Sequence, residues 1–392
     1  MQLNASIEKM EKPKVNSPPT PPIIKSNWVK RSLTATVLIV YMIVAAYLGI
    51  PAIWFSTLLI QTKCYQEIIA IAYKHYSERM PGIPLFRTFN WYFLFLANYY
   101  FFGETFAQYL EVLTVKYQIL GMLFKYNRLI SLCLYLIGIG WFLSLLLKQK
   151  RILRQHFSLL AWMHVLCLII VLQSYMIIQN LFEGLIWVIM PLTLVFLNDI
   201  FAYIFGKKYG KTPLIKVSPS KTLEGFLGGG LGSLVLGTII AWVLCHIDHM
   251  VCPTKFQLVK NTIEMSTNCS RSYLFQPVNY YGFNYYPFLN HLQVLTLFAS
   301  LIAPFGGFCA SGFKRAFKMK DFGDTIPGHG GVMDRFDCQY LMASFVNVYI
   351  ISFVRNYSVE KFLAKVLNMN EEVQLEFFHV LKQNLTDQGL LN

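Results

Sequence analysis

The chain has 392 residues, 55% of them hydrophobic and only 14% charged, with a formal net charge of +14. A soluble globular protein carries roughly a quarter charged residues to wet its surface. Apolar runs long enough to cross a bilayer therefore exclude a soluble domain with one large core, and without a basic, aromatic-interleaved module the positive charge reads as loops beside anionic headgroups rather than as a nucleic-acid surface.

Residues 1–29 are polar and rich in proline (Pro13, Pro18, Pro19, Pro21, Pro22). They lack the early apolar core of a cleavable signal peptide and read as a disordered cytoplasmic tail. Apolar runs follow near 33–48, 51–72, 90–110, 129–147, 157–178, 184–205, 226–247, 292–312 and 339–354. Each approaches the roughly 20 residues that a bilayer requires. The expectation is an all-α, polytopic transmembrane bundle of about nine spanning helices, with residues 30–355 as its transmembrane domain. The second and third runs carry Lys63, Glu67 and Glu104, and the last is short.

With the tail in the cytoplasm, alternation brings the basic segments 148–156, 207–224 and 313–338 to that side, as the positive-inside rule asks. The segment 112–128, with Lys116, Lys125 and Arg128, is the exception. The long loop 248–290 falls on the opposite, lumenal face. It holds Cys252, Cys269 and the sequon Asn268-Cys269-Ser270, so an oxidising lumen permits a Cys252–Cys269 disulfide and glycosylation of Asn268. Two free thiols are the alternative. Cys64, Cys133, Cys167 and Cys309 lie in apolar runs, with no CxxC or zinc spacing. Residues 356–392 form a C-terminal segment whose apolar positions over 358–380 recur at helical spacing.

The densest polar stretch runs from Ser311 to Asp337, SGFKRAFKMKDFGDTIPGHGGVMDRFD. A solvated loop of mutually neutralising charges is the plain reading. Three details point to chemistry instead. Gly328, Gly330 and Gly331 around His329 make a tight turn whose amides can approach phosphate oxygens. Asp334 and Asp337 stand three apart where the last span begins, so a helix there sets both on one face, within reach of a hard cation. Lys314, Arg315, Lys318 and Lys320 precede Asp321, the mixture of cation and carboxylate that a metal–triphosphate complex needs.

This stretch resembles the signature of the CDP-diacylglycerol synthases, or phosphatidate cytidylyltransferases. The signature is serine, two residues, lysine-arginine, four residues, lysine-aspartate, then histidine-glycine-glycine, two residues, and aspartate-arginine-any-aspartate. Ser311, Lys314, Arg315, Lys320, Asp321, His329, Gly330, Gly331, Asp334, Arg335 and Asp337 match it without a gap. Upstream, Asn198-Asp199 with Ala202-Tyr203 and Gly206-Lys207, and the run Ser218 to Gly225, resemble two further family segments.

The resemblance implies attack of the phosphatidic acid phosphate on the α-phosphorus of CTP, with release of pyrophosphate. It implies Mg²⁺ or Mn²⁺ held by Asp321, Asp334, Asp337 and Asp199, and catalytic roles for Lys314, Arg315, Lys320, His329 and Arg335. Lys221, Ser218, Ser220, Gly330 and Gly331 are the expected substrate contacts. The expected partners are CTP, phosphatidic acid and membrane lipid, with no nucleic acid and a homodimer left open. The expected location is the endoplasmic reticulum membrane, multi-pass, with the site facing the cytoplasm. A CTP-dependent polyprenol kinase and a membrane transporter are the alternatives. Glu67 and Glu104 lie in apolar helices with no visible partner and stay outside the expected site.

Overall fold

In lipid the backbone must bond to itself, so apolar runs of this length close into helices. The computed structural model of the protein describes residues 23–77, 86–109, 118–148, 153–215, 218–252, 256–259, 262–265, 271–280, 282–355, 363, 366–367 and 369–389. Its helices are α1 (Ile23–Leu48), α2 (Ile50–Ser77), α3 (Phe86–Tyr109), α4 (Gln118–Lys125), α5 (Asn127–Lys148), α6 (Leu153–Phe182), α7 (Ile186–Tyr209), α8 (Leu223–Cys245), α9 (Phe288–Leu301), α10 (Pro304–Ala316), α11 (Met333–Val354) and α12 (Glu371–Asp387). Three short antiparallel hairpins join them, Pro213–Ile215 with Ser218–Thr222 (β1, β2), Phe256–Val259 with Thr262–Met265, and Val278–Tyr280 with Phe283–Tyr285.

Among the described residues, seven segments are long and apolar enough to cross a membrane, with α9 and α10 forming one of them. The other two expected spans are present as α2 and α3. Lys63 and Glu67 interrupt the first, and Asn90, Asn98 and Glu104 the second, so apolarity alone marks seven of the nine. The chain is a polytopic, all-α membrane bundle.

Three contacts fix which ends share a face. At one end, Arg31 Nε donates to the Gly328 carbonyl at 3.1 Å and Thr34 Oγ1 to that of Pro327 at 3.2 Å. The start of α1 and the glycine-rich loop therefore lie together. At the other end, His249 Nε2 lies 2.9 Å from the Ala46 carbonyl, which brings the 248–252 segment beside the far end of α1. There Arg271 pairs with Asp248 at 2.6 Å and donates to the last carbonyls of α8, a cation at a helix C-terminus. Cys252 is disulfide-bonded. Its expected partner Cys269, the sequon at Asn268 and the tail 1–22 lie outside the described residues. So does most of 356–368, and the C-terminal helix runs over Glu371–Asp387 with no residue buried.

Two apolar clusters fill the bundle. One joins α2, α3, α5 and α6 around Tyr65, Phe93, Met163 and Ile178. The other joins α7, α8, α9 and α11 around Met190, Leu194, Leu292 and Met342. The seam between α7 and α8 depends on glycine: a Cβ at Gly225 would lie 2.7 Å from the Ala202 carbonyl oxygen, and one at Gly229 2.9 Å from that of Asn198. Small residues let the two backbones approach, as in tight membrane helix pairs. The outward faces carry large apolar side chains such as Leu136, Leu231 and Val235, all exposed.

Candidate active site

Three separate segments deliver polar groups to the end of the bundle that holds the glycine-rich loop. The first is α7, which carries Asp199, an exposed carboxylate. The second is the β1–β2 hairpin that leads into α8. Glu224 holds its base by accepting from the Lys211 and Thr212 amides and, at 2.9 Å, from Thr212 Oγ1. Thr222 caps α8 by accepting from the Gly225 amide at 3.2 Å. Lys221 thus stands directly before the helix, its ammonium 4.9 Å from the centre of the Phe308 ring on α10.

The third segment is α10, its following loop and α11. Gly306 and Gly307 let α10 cross α11 at the site itself: a Cβ on Gly306 would lie 2.5 Å from the Asp337 carbonyl oxygen. Asp337 sits at this crossing, half-buried, with Oδ1 accepting from the Cys338 amide at 2.7 Å. Asp199 interacts electrostatically with Lys221, Asp337 and Arg335, and Asp337 with Lys221 and Lys314. Acids from α7 and α11 and a lysine from the hairpin therefore converge, although their positions span 138 residues of chain (337 − 199).

The loop is held by its own backbone. The Ile326 amide donates to the Gly330 carbonyl at 2.8 Å and the His329 amide to the Ile326 carbonyl at 2.9 Å. The bend places Gly328 and Gly330 at φ 77° and 85°, a region that suits glycine. Arg335 donates twice, at 2.8 and 3.2 Å, to the His329 carbonyl. His329 Nδ1 is buried with no hydrogen-bond partner among the described residues, which suits a group that awaits a ligand oxygen. Asp321 packs against Gly330, where a Cβ would lie 3.3 Å from its carboxylate.

Three of the expected site residues, Asp334, Lys314 and Gly331, engage one another or the loop. Asp334, expected as a metal ligand, has both oxygens engaged: Oδ1 takes Lys314 Nζ at 2.6 Å, and Oδ2 accepts from the Phe322 and Gly331 amides at 2.8 and 3.0 Å. Its side chain is 3% exposed. In this geometry Asp334 braces the loop, and Lys314 neutralises Asp334 rather than reaching an open phosphate. The Gly331 amide, expected to contact substrate, is likewise taken by Asp334. What Gly331 supplies is space, since a Cβ there would lie 2.6 Å from Glu67 Oε2. Lys320 and Arg315 are exposed, and the side chains of Ser218 and Ser220 lie outside the described residues. Truncating one partner of a buried pair leaves an uncompensated charge. Lys314→Ala is therefore expected to cost about 3 kcal/mol, read as a lowered thermal midpoint that Asp334→Asn partly restores in the double variant.

Glu67 is the residue that sequence reasoning left out. It is 8% exposed on α2. Its Oε1 accepts from Thr325 Oγ1 at 2.6 Å and from the Val332 amide at 2.9 Å, and its Oε2 from the Met333 amide at 2.9 Å. The start of α11 has no side-chain cap of its own. Glu67 supplies one from another helix, and its charge suits the positive end of the α11 dipole. An acid inside an apolar run was the only signal, and its partners lie more than 250 residues away.

Among the described residues no three His, Cys, Asp or Glu side chains form a ready-made metal cage. Mg²⁺ commonly takes one or two carboxylates and completes its shell with water and substrate phosphate. Asp199 and Asp337 fit such a site: hard oxygen donors that feel one another's charge, with Lys221 acting on both and Arg335 on Asp199.

The model of the cytidylyltransferase family matches residues 29–353. The chain is 46% identical over 379 residues to phosphatidate cytidylyltransferase 1 of Rattus norvegicus, covering 94% of this chain and 81% of that protein. It is 45% identical over 377 residues to phosphatidate cytidylyltransferase 2 of Homo sapiens (93% and 83%) and 44% identical over 381 residues to phosphatidate cytidylyltransferase of Caenorhabditis elegans (93% and 80%).

Proposed function

Because this chain belongs to the cytidylyltransferase family, among the phosphatidate cytidylyltransferases, we infer that it joins phosphatidic acid to CTP and releases pyrophosphate. The lipid phosphate oxygen forms a bond to the α-phosphorus as the bond to the β-phosphate oxygen breaks. The nucleophile belongs to the substrate, so the protein needs no serine or cysteine nucleophile. Its work is to align two polyanions and offset their repulsion. A divalent cation, Mg²⁺ or Mn²⁺, bound at Asp199 and Asp337, would supply Lewis-acid neutralisation of the triphosphate.

The convergence of Asp199, Lys221 and Asp337 carries this reading. Lys221 and Arg335 flank the two acids and neutralise phosphate charge. His329 Nδ1 donates to a phosphate oxygen in the appropriate tautomer. Lys320 and Arg315 add exposed positive charge on the solvent side, Asp321 packs against Gly330, and Asp334, Lys314 and Glu67 set the loop. The basic loops on this face support a cytoplasmic site in the endoplasmic reticulum membrane, where the product, CDP-diacylglycerol, would feed phosphatidylinositol and phosphatidylglycerol synthesis.

A CTP-dependent lipid kinase would move the γ-phosphate and release CDP. Purified protein given phosphatidic acid and CTP labelled at either the α- or the γ-phosphate separates the two. The expected outcome is α-label in the lipid product and γ-label in pyrophosphate, with both lost on chelation. Label from the γ-position in lipid, with CDP in solution, would contradict the assignment.

A further inference from the structure

We infer that a second, phosphate-binding site for an anionic phospholipid headgroup lies between α2 and the loop that follows α10. It goes beyond the transfer reaction and rests on different residues. A recess of about 780 Å³ opens there, and none of Asp199, Lys221 or Asp337 lines it. One wall is a single face of α2: Lys63, Glu67, Ala70 and Lys74 recur at three- and four-residue spacing. The other wall is Phe317 to Met319, with His75 edge-on to Phe317 at 5.5 Å between ring centres.

The charge of the recess favours an anion. Lys63, Lys74 and Lys318 line it together with His75. Among the described lining residues Glu67 is the one carboxylate, and its oxygens already accept from Thr325, Val332 and Met333. Lys318 adds a second observation. α10 ends with the Met319 amide bonded to the Lys314 carbonyl and the Lys318 amide to that of Arg315. This closure puts residue 318 in the left-handed region, at φ 55°, where glycine is the usual occupant. A lysine is thus held in a conformation that disfavours it, on the rim of a basic recess.

Depth selects a lipid over a soluble anion. At about 1.5 Å per residue, Lys63 lies about 20 Å along α2 from Ile50 and Lys74 about 36 Å. The hydrocarbon core is about 30 Å thick. With Ile50 set at the opposite boundary, Lys63 falls inside that thickness and Lys74 beyond it, so the recess straddles the boundary on the face of the glycine-rich loop. Glu67 and Arg31 stand at equal heights, each 17 residues from the α1–α2 turn (67 − 50 and 48 − 31), and Arg31 touches that loop. A headgroup phosphate can meet Lys63 from below and Lys318 from above, with its acyl chains in lipid.

The test uses full-length protein in phosphatidylcholine nanodiscs with rising fractions of phosphatidylglycerol, and in parallel with inorganic phosphate. The thermal midpoint and the amine labelling of Lys63 and Lys318 are followed. Phosphatidylglycerol is expected to raise the midpoint and protect both lysines, while inorganic phosphate does neither. Lys63→Gln and Lys318→Gly should each weaken the apparent lipid affinity about fivefold, and Asp337→Asn should leave it intact. Lys318→Gly also relieves the backbone, so it is expected to fold. Equal lipid affinity in wild type and both variants, unprotected lysines, protection by inorganic phosphate alone, or loss in Asp337→Asn would each overturn the site. Should a variant not fold, the labelling of the wild type decides.

Discussion

Asp337→Asn, at normal expression and with an unchanged thermal midpoint, is expected to lower CTP-dependent lipid product by about 10³-fold or more. The amide keeps the volume and leaves Oδ1 to accept from the Cys338 amide, so the fold at the α10–α11 crossing is preserved. What is lost is one of two carboxylates that can hold a divalent cation beside Lys221. Metal neutralisation of a transferring phosphate contributes several kcal/mol, and each 1.36 kcal/mol is about a factor of ten in rate. Single-turnover measurement with labelled CTP checks it. Turnover within tenfold of wild type would remove Asp337 from the metal site.

Glu67→Ala is expected to disable the protein by another route. Three donors, Thr325 Oγ1 and the Val332 and Met333 amides, lose their acceptor, and the start of α11 loses its only side-chain cap. Unsatisfied buried donors cost about 1–3 kcal/mol each, so a loss of about 3 kcal/mol or more is expected, seen as a lowered thermal midpoint with little turnover. Glu67→Gln fills the same space but offers only one acceptor oxygen, and an intermediate midpoint is expected. Glu67→Asp is one methylene short of the α11 amides and should not rescue. A wild-type midpoint in Glu67→Ala would show that the strap between α2 and the loop is dispensable.

The contrast between these two residues shows what the sequence could carry. Asp321, His329, the glycine turn and Asp337 are legible together because they stand within one short polar stretch of the chain. Asp199 and Lys221 are legible as separate short segments expected on one face, and the structure brings them to the end of the bundle that holds the glycine-rich loop. The contacts of Asp334 with Lys314 and two loop amides are not legible, because a carboxylate three residues from Asp337 on one helix face gives no sign of partners further along the loop. Glu67 is hidden by distance. An acid in an apolar helix announces a cost but not its partner, and the partners here lie across the whole bundle. Apolarity alone does not mark α2 and α3 as spans: α2 carries Glu67, which holds the loop, and α3 carries Glu104 and two asparagines. Cys252 needed less, since a loop on the face away from the basic clusters makes a disulfide permissible, and Cys252 is bonded.

The central claim is that carboxylates from α7 and α11, far apart in sequence, jointly hold the divalent cation. Manganese binding to the purified protein with CTP, followed by electron paramagnetic resonance, tests it most directly. One tight Mn²⁺ in wild type, lost in both Asp199→Asn and Asp337→Asn and kept in Lys63→Gln, is the expected result. Undiminished Mn²⁺ binding in either aspartate variant would contradict it.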